Sequence, residues 1–134
     1  MNGKIFLDTN VCIYLTDLIA SPKKETVSSL LLSKPFISPQ VVFECINVCR
    51  RKLKYDEKES IVFVEYLLSC CSIVPENTRV VNDALQLWQK HQFQPFDAKI
   101  VATALEAGCH TLYSEDMQHG FVVNRSLTIV NPFI

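Results

Sequence analysis

The chain has 134 residues, of which 49% are hydrophobic and 20% are charged. This composition supplies enough apolar side chains for a packed core and excludes an intrinsically disordered protein, and we predict a single domain spanning residues 1–134. The formal net charge of −1 excludes a polycation, so any binding of nucleic acid must depend on a local basic patch or on metal ions.

Short apolar runs alternate with helix-like patterns, which predicts alternating strands and helices. In chain order we predict strand 4–8, helix 10–18, helix 25–32, strand 36–37, helix 39–54, helix 57–69, strand 72–74, helix 78–91, helix 97–107, strand 111–114 and strand 127–130. Ser38 followed by Pro39 is typical of a helix start, and Asp56 is a favoured cap. Asn10 is the expected cap of the first helix, and Gly108 marks the end of the last.

Strands this short and apolar, separated by helices, predict an α/β fold with a mainly parallel sheet covered on both faces. In such sheets, ligands bind beyond the carboxyl ends of the strands. Asp8 lies at the end of the first predicted strand, and Asp116 lies just beyond the fourth. The placement of these two acids is the first indication of a functional site.

The sequence also indicates the cellular environment. Apolar runs such as 61–64 and 66–68 are far shorter than the roughly 18 residues that a membrane span needs. The N-terminus lacks the pattern of a secretory signal, so we expect a cytoplasmic protein. The six cysteines form neither a C-x-x-C pair nor a zinc-like set with histidine, and we expect them to be reduced and mostly buried.

Asp8 and Glu44 stand where a packed chain favours an apolar residue. Asp8 ends the run 5–7, and because a buried isolated carboxylate is costly, it must be solvated, hydrogen-bonded or metal-bound. Its alternative role is to cap the following helix. Glu44 falls on or beside the face of its helix that packs inward, and the alternative is a border glutamate that reaches solvent.

Asp97 and Asp116 are weaker signals when each is taken alone. Asp97 stands at the start of a helix, where an aspartate most often acts as a cap. Asp116 follows a strand, and acids are ordinary in loops. Neither residue by itself separates a functional site from a structural role.

The four acids carry more information as a set. Carboxylates from separate segments repel one another unless a cation neutralises them, and Mg²⁺ and Mn²⁺ prefer such oxygen ligands. A metal ion held by them can polarise a phosphodiester and lower the pKa of a bound water. No serine or cysteine nucleophile with a base partner is evident, so hydrolysis by activated water is the simplest chemistry.

Four segments together resemble the signature segments of PIN-domain ribonucleases. They are FLDTNV at 6–11, FE at 43–44, PFDA at 95–98 with ATALEAG at 102–108, and LYSEDMQHG at 112–120. Their order and spacing cover nearly the whole chain, and the ending IVNPF at 129–133 is similar as well. The most similar group is the VapC-type toxins of bacterial and archaeal toxin–antitoxin pairs.

The resemblance implies a three-layer α/β/α sandwich with a short, mainly parallel, five-stranded sheet. It implies a catalytic, Mg²⁺- or Mn²⁺-binding quartet formed by Asp8, Glu44, Asp97 and Asp116. Ser114 is expected to support this site, and Thr9 and Asn10 are expected to orient the first acid.

The resemblance also implies an activity and partners. It implies a metal-dependent endoribonuclease that cleaves RNA, such as transfer or ribosomal RNA. A homodimer is expected, silenced by a cognate antitoxin whose C-terminal segment lies across the groove.

Several residues near these segments allow more than one interpretation. Lys99 can contact the scissile phosphate, pair with an acid or reach solvent, and we favour solvent. Glu115 is left out of the ligand set because adjacent residues of an extended chain point in opposite directions. Four basic residues can hold an RNA backbone, but such residues also stabilise a helix C-terminus, which we favour; they are Arg50, Arg51, Lys52 and Lys54. A helical stripe is interpreted as core, and it consists of Val81, Leu85 and Trp88.

Three other functions compete with a ribonuclease. A phosphatase of the haloacid dehalogenase type needs a second acid two residues after Asp8, where this chain has Asn10. A response-regulator receiver needs a phosphorylatable strand-end aspartate and a later lysine, and neither is well placed. The last is a PIN fold that binds RNA or protein without cutting, and retention of all four acids argues against it.

Overall fold

The computed structural model describes residues 3–134, and its elements are short. The strands are β1 (Ile5–Leu7), β2 (Phe36–Ile37), β3 (Ser72–Ile73), β4 (Thr111–Tyr113), β5 (Val122–Val123) and β6 (Leu127–Val130). The helices are α1 (Thr9–Cys12), α2 (Pro22–Leu31), α3 (Pro39–Arg51), α4 (Glu57–Cys70), α5 (Thr78–Lys90) and α6 (Pro95–Glu106). A 3-10 helix, Ile13–Thr16, directly follows α1.

The strands form one sheet in the order β3-β2-β1-β4-β6-β5. Every neighbouring pair is parallel except β5 with β6. This architecture confirms the predicted α/β sandwich with a mainly parallel sheet. Since β1 lies between β2 and β4, the chain beyond the carboxyl end of β1 meets the chain beyond β4 at one edge of the sheet.

The sheet has six strands where five were predicted, because β5 was missed. β5 is only two residues long, with Val122 exposed and Val123 buried, so it has too little alternation to be recognised. It turns into β6 through Asn124 and Arg125, which both have positive φ. Two successive positive φ values are typical of the tight turn that joins antiparallel strands.

Most predicted helix starts agree with the structure, and two need correction. Ser38 and Asp56 cap α3 and α4 as predicted. The cap of α1 is Asp8, not Asn10, because the Asp8 carboxylate accepts a hydrogen bond from the Thr9 amide. α2 begins at Pro22, three residues before the predicted start at 25.

The core lies between the sheet and the helices packed on it. The central strands bury Phe6, Leu7 and Leu112 completely, and α6 buries half of its residues. All six cysteines are free, and five of them are buried, which confirms their predicted role as small hydrophobic residues. None of the helices within residues 3–134 has both the length and the apolar character that a membrane crossing requires.

The helical stripe of α5 is not core, contrary to the prediction. Val81, Leu85 and Trp88 are each about half exposed. α5 instead packs through Val80, Ala84 and Leu87, which are one residue before the predicted stripe. Both stripes have helical spacing, so periodicity alone does not distinguish them.

Candidate metal centre

Asp8 is fixed at the carboxyl end of β1. Its backbone amide still bonds to the Tyr113 carbonyl of β4, so the sheet sets its position. Its carboxylate is 5% exposed and accepts hydrogen bonds from the Thr9 amide at 2.8 Å and from the Ser114 hydroxyl at 2.8 Å. Asp8 therefore caps α1 and faces the site at the same time.

Ser114 joins the ends of β1 and β4. Its side chain is fully buried, and its hydroxyl donates to Asp8. The same oxygen accepts from the backbone amides of Asp116 at 3.3 Å and Met117 at 3.4 Å. The loop that carries Asp116 is thus folded around Ser114.

Asn10 connects two of the acids directly. Its side-chain amide donates to Asp8 Oδ2 at 3.3 Å and to Asp116 Oδ2 at 3.1 Å. Its carbonyl oxygen accepts from the Glu115 backbone amide at 3.0 Å. These contacts explain why Asn10 does not cap the helix: its side chain holds the two carboxylates and the Asp116 loop.

Glu44 enters the site from α3 and is half-buried. Thr9 Oγ1 donates to its Oε1 at 2.6 Å, and Gln40 Nε2 donates to its Oε2 at 3.2 Å. Both oxygens of Glu44 are therefore held by protein donors. Gln40 was missed in the sequence, although its position one helical turn before Glu44 was a usable signal.

Asp97 reaches the site from the first turn of α6. Gln94, not Asp97, is the cap of this helix, so the interpretation of Asp97 as a simple cap is wrong. Burial raises the pKa of Asp97, and the charges of Glu44 and Asp116 raise it further. The side chain is therefore within electrostatic reach of two other acids.

Burial dominates the electrostatics of Asp8. It raises the pKa of this carboxyl to about 6, although the hydrogen bonds from Ser114 and Thr9 lower it. The charges of Asp97 and Glu44 add smaller upward shifts. A nearby cation would reverse these shifts, because it favours the ionised form of each acid.

One groove of about 670 Å³ brings the four predicted acids together. Its lining includes Asp8, Glu44, Asp97 and Asp116, with Thr9, Asn10, Tyr14, Asn47 and Lys52 among the other residues. Ser114 lies behind Asp8 and is not part of the lining. Residues up to 108 positions apart in sequence thus meet in the groove, as the strand-end argument predicts for Asp8 and Asp116.

The carboxylates are not arranged as a finished metal site. Within residues 3–134, no group of three or more Asp, Glu, His or Cys side chains is placed to hold a metal ion. Protein donors occupy Asp8, Glu44 and Asp116 instead. The donor chemistry nevertheless fits a hard divalent cation, because the groove gathers the four predicted carboxylates, and burial and mutual repulsion raise the pKa of Asp8 and Asp97.

Two charged neighbours of the site are engaged in ion pairs. Lys99 does not simply reach solvent as we expected: its Nζ lies 3.5 Å from Glu76 Oε1. Glu115 accepts from Lys23 at 2.6 Å and from the Tyr14 hydroxyl at 2.7 Å, and the bond from Lys23 lowers its pKa. Glu115 thus lines the groove with the four acids, but its carboxylate is bound to Lys23 and Tyr14.

The basic run at the end of α3 is exposed, and one of its members reaches the groove. Lys52 lines the groove with the acids, whereas Arg50 donates to the Tyr55 carbonyl at 3.1 Å. Lys52 therefore gives the acidic groove a cation at its edge.

A family model described as the PIN domain matches residues 5–120. The chain belongs to the PIN-domain family. The matched residues include the four predicted acids. Membership of this family excludes the phosphatase and the receiver as alternatives.

Solved structures have the same fold as this PIN domain. A toxin–antitoxin complex from Klebsiella pneumoniae matches with a TM-score of 0.71 and 17% identity, over 97% of this chain and 98% of that chain. VapC20 from Mycobacterium tuberculosis, described as a Sarcin-Ricin loop cleaving toxin, matches with a TM-score of 0.68 and 19% identity, over 84% and 90%. DNA-bound VapBC from Salmonella typhimurium matches with a TM-score of 0.70 and 21% identity, over 96% and 97%.

A sequence comparison with curated proteins gives no significant match for this PIN domain.

Proposed function

We propose that this PIN domain is a metal-dependent endoribonuclease that hydrolyses RNA phosphodiesters with a metal-activated water. The observation that carries the proposal is the groove in which β1, α3, α6 and the loop after β4 each contribute one acid. Acids gathered from four elements at the carboxyl edge of a parallel sheet are costly for stability, which favours a functional origin.

Asp8, Glu44, Asp97 and Asp116 are the residues that would hold Mg²⁺ or Mn²⁺. When bound, such an ion supplies polarisation of the phosphodiester and a more acidic water. Around it, the chain's own groups orient the acids: Ser114 and Asn10 hold Asp8, and Thr9 holds Glu44.

The groove offers no serine, cysteine or histidine nucleophile of its own. Within the described residues its lining contains none of these three side chains, and Ser114 is buried behind Asp8. Hydrolysis by water therefore fits this groove better than a covalent mechanism.

We further propose that the chain is the toxin of a toxin–antitoxin pair. Support comes from fold relatives that are described as a toxin or as toxin–antitoxin complexes. On this proposal the protein acts in the cytoplasm, forms a homodimer and is silenced by a cognate antitoxin. Its substrate is a cellular RNA, such as transfer or ribosomal RNA.

One observation favours a second candidate, a PIN fold that binds RNA or protein without cutting. Protein donors hold Asp8, Glu44 and Asp116, and the four acids do not form a finished metal set within the described residues. If the chain is such a binding module, it should bind RNA and leave it uncut, whichever divalent ion is added.

The decisive experiment is an RNA cleavage assay with Mg²⁺ or Mn²⁺, with and without EDTA. We expect cleavage by the wild type, and loss of cleavage with EDTA and in the Asp8→Asn and Asp97→Asn variants. Glu65→Gln, an exposed acid on α4, is the matched control and should cleave like the wild type. Cleavage that survives EDTA, or that is undiminished in both aspartate variants, rules out the proposal.

The toxin assignment has a separate test. Expression of the wild type without the antitoxin should arrest bacterial growth, and expression of Asp8→Asn should not. Normal growth of cells that contain the active enzyme would reject the toxin assignment and keep the proposal of a ribonuclease that acts alone.

A further inference from the structure

A second groove of about 420 Å³ adjoins the acidic groove. Glu44 and Asn47 line both, so the two grooves are continuous along one face of α3. The remaining lining of the second groove is formed by Pro39, Gln40, Phe43, Glu76, Phe96 and Lys99. A strand that places a phosphodiester beside Asp8 can therefore continue into this second groove, which we call the aromatic groove.

Two exposed phenylalanine rings border the aromatic groove. Phe43 on α3 and Phe96 on α6 are each 65% exposed. Single exposed apolar residues are common, but two aromatic rings on facing elements of one groove form a surface on which a planar base can stack. Unpaired bases of RNA are recognised mainly through such stacking.

A cation is held in place at the same groove. Lys99 Nζ lies 5.6 Å from the Phe96 ring centroid and 3.5 Å from Glu76 Oε1. Glu76 in turn accepts from the Gln40 backbone amide at 3.0 Å, which ties this pair to the start of α3. An ammonium group has three donors, so Lys99 keeps the capacity to contact a phosphate while it pairs with Glu76.

Gln40 supplies an acceptor without a partner. Its Nε2 donates to Glu44 Oε2 at 3.2 Å and to the Phe96 carbonyl at 3.3 Å, and because both partners are acceptors, the orientation of the amide is fixed. Its Oε1 is buried and has no hydrogen-bond partner among the described residues. An unpartnered buried acceptor is destabilising, and this one belongs to a residue that lines the aromatic groove.

We infer that the aromatic groove binds an unpaired nucleobase adjacent to the phosphodiester in the acidic groove. The inference rests on the proposed ribonuclease function and deepens it, because it specifies RNA with an unpaired base beside the cleavage site. In this arrangement the base stacks on Phe43 and Phe96, and Lys99 contacts a neighbouring phosphate.

A protein partner fits this groove less well than a base does. The aromatic groove places two exposed rings beside the Lys99 ammonium group, and a stacking surface next to a cation suits a nucleotide. Exposed apolar side chains on α4 and α5 line neither groove and suit a protein surface better; they are Ile61, Val62, Tyr66, Val81, Leu85 and Trp88.

The test measures the binding of a series of single-stranded oligoribonucleotides. Each carries the fluorescent base 2-aminopurine at a different position. Ca²⁺ replaces Mg²⁺ and Mn²⁺, so that binding is followed without the ions proposed for catalysis. We expect quenching of the base that occupies the groove and an affinity that falls about 5- to 100-fold in Phe43→Leu and in Phe96→Leu. Trp88→Leu, which removes a half-exposed ring from α5, is the matched control and should bind like the wild type.

An abasic nucleotide at the quenched position completes the design. It should weaken binding to the wild type by a similar factor and cause little further loss in the phenylalanine variants. Both rings are largely exposed, so melting curves should show folded variants.

The inference is overturned if both phenylalanine variants bind like Trp88→Leu. It is also overturned if sedimentation shows that the phenylalanine variants change the oligomeric state and their affinity for RNA is retained, because the groove is then a protein interface. A failure of the cleavage assay with intact, ring-dependent binding would instead reject the ribonuclease and keep the base site.

Discussion

At the residue scale, the site is built from polar contacts between the ends of β1 and β4. Ser114 and Asn10 both donate a hydrogen bond to the Asp8 carboxylate. Ser114 also accepts from the Asp116 backbone amide, and Asn10 also donates to the Asp116 carboxylate. Residues 106 positions apart are therefore held in a fixed relation by two neutral side chains. Neutral donors can orient acids without neutralising the charge that a cation requires.

Ser114→Ala tests this orientation. The variant loses the 2.8 Å bond to Asp8 and the acceptor for two backbone amides of the Asp116 loop. We expect metal-dependent cleavage to fall about 10- to 100-fold, as for other residues that orient metal ligands. Ser60→Ala is the control, since Ser60 is also buried but bonds only to the Asp56 carbonyl of its own helix. Equal cleavage by both variants would contradict a role for Ser114.

Asp8→Asn tests the cost of the buried acid in metal-free protein. The folded-state pKa of about 6 exceeds the ordinary 3.8, so the ionised carboxylate destabilises the fold, and this cost develops as the pH rises from about 4 to about 6. At pH 7.5 with EDTA, the variant should be more stable than the wild type by up to about 3 kcal/mol, the free energy that corresponds to a rise in pKa from 3.8 to about 6, because an amide carries no charge.

Melting curves between pH 4 and pH 8 check this expectation. The stability advantage of Asp8→Asn over the wild type should disappear near pH 4. It should also shrink when Mn²⁺ is added, because the ion stabilises the ionised carboxylate of the wild type. Glu65→Gln should show no comparable pH-dependent gain, since Glu65 is exposed. An Asp8→Asn variant that is less stable at every pH would show that the carboxylate contributes more to capping α1 than it costs by burial.

The sequence located the acids and, through the resemblance, their partners Thr9, Asn10 and Ser114, but it missed Gln40 and the ion pair of Lys99. Asp8 and Asp116 follow recognisable strands, so their positions at one sheet edge could be predicted from chain order alone. The bonds from Gln40 to Phe96 and from Lys99 to Glu76 depend on how α3 and α6 pack, and no local pattern encodes that packing. Their roles became visible only with the positions of the helices.

At the element scale, local capping chemistry positions the helices that carry the site. Ser38 caps α3 by accepting from the Val41 amide, and this start sets which face of the helix carries Glu44. Such starts were predictable because a cap acts within three residues. β5 and the outer stripe of α5 were not, because a two-residue strand and a half-exposed apolar stripe depend on tertiary neighbours.

Asp56→Ala tests whether capping affects stability without affecting the site. Asp56 accepts from the Glu59 amide at 2.8 Å, and the Glu59 side chain accepts from the Asp56 amide at 2.9 Å, which forms a capping box. Loss of the cap should lower the free energy of unfolding by about 1 kcal/mol, and Asp56→Asn should restore most of it.

Cleavage by the folded Asp56→Ala protein should equal that of the wild type, since neither residue of the box lines the acidic groove. Denaturant melts and the RNA assay measure the two effects separately. A loss of activity in folded Asp56→Ala would show that α4 influences the site.

At the scale of the whole molecule, the overall charge does not attract RNA. The net charge is −1, and six acidic residues line the groove, so an RNA backbone needs local cations in order to approach. Lys52 lines the groove and is exposed, which makes it the cation best placed to meet a phosphate there.

Lys52→Ala tests this local attraction. RNA affinity should fall to a similar extent for all sequences, and the slope of log affinity against log salt should decrease by about 0.7–1, the change expected for one phosphate contact. Lys58→Ala, on the exposed start of α4, is the control and should leave the slope unchanged. An unchanged slope in Lys52→Ala would place the RNA path elsewhere.

Titration of Mn²⁺ into the purified protein tests most directly whether the four distant acids form a metal centre. The wild type should bind Mn²⁺, and Asp8→Asn and Asp97→Asn should each weaken that binding by at least about tenfold, while Glu65→Gln binds like the wild type. A wild type that binds no Mn²⁺, or binding that is the same in all four proteins, would contradict the metal centre and the nuclease mechanism that depends on it.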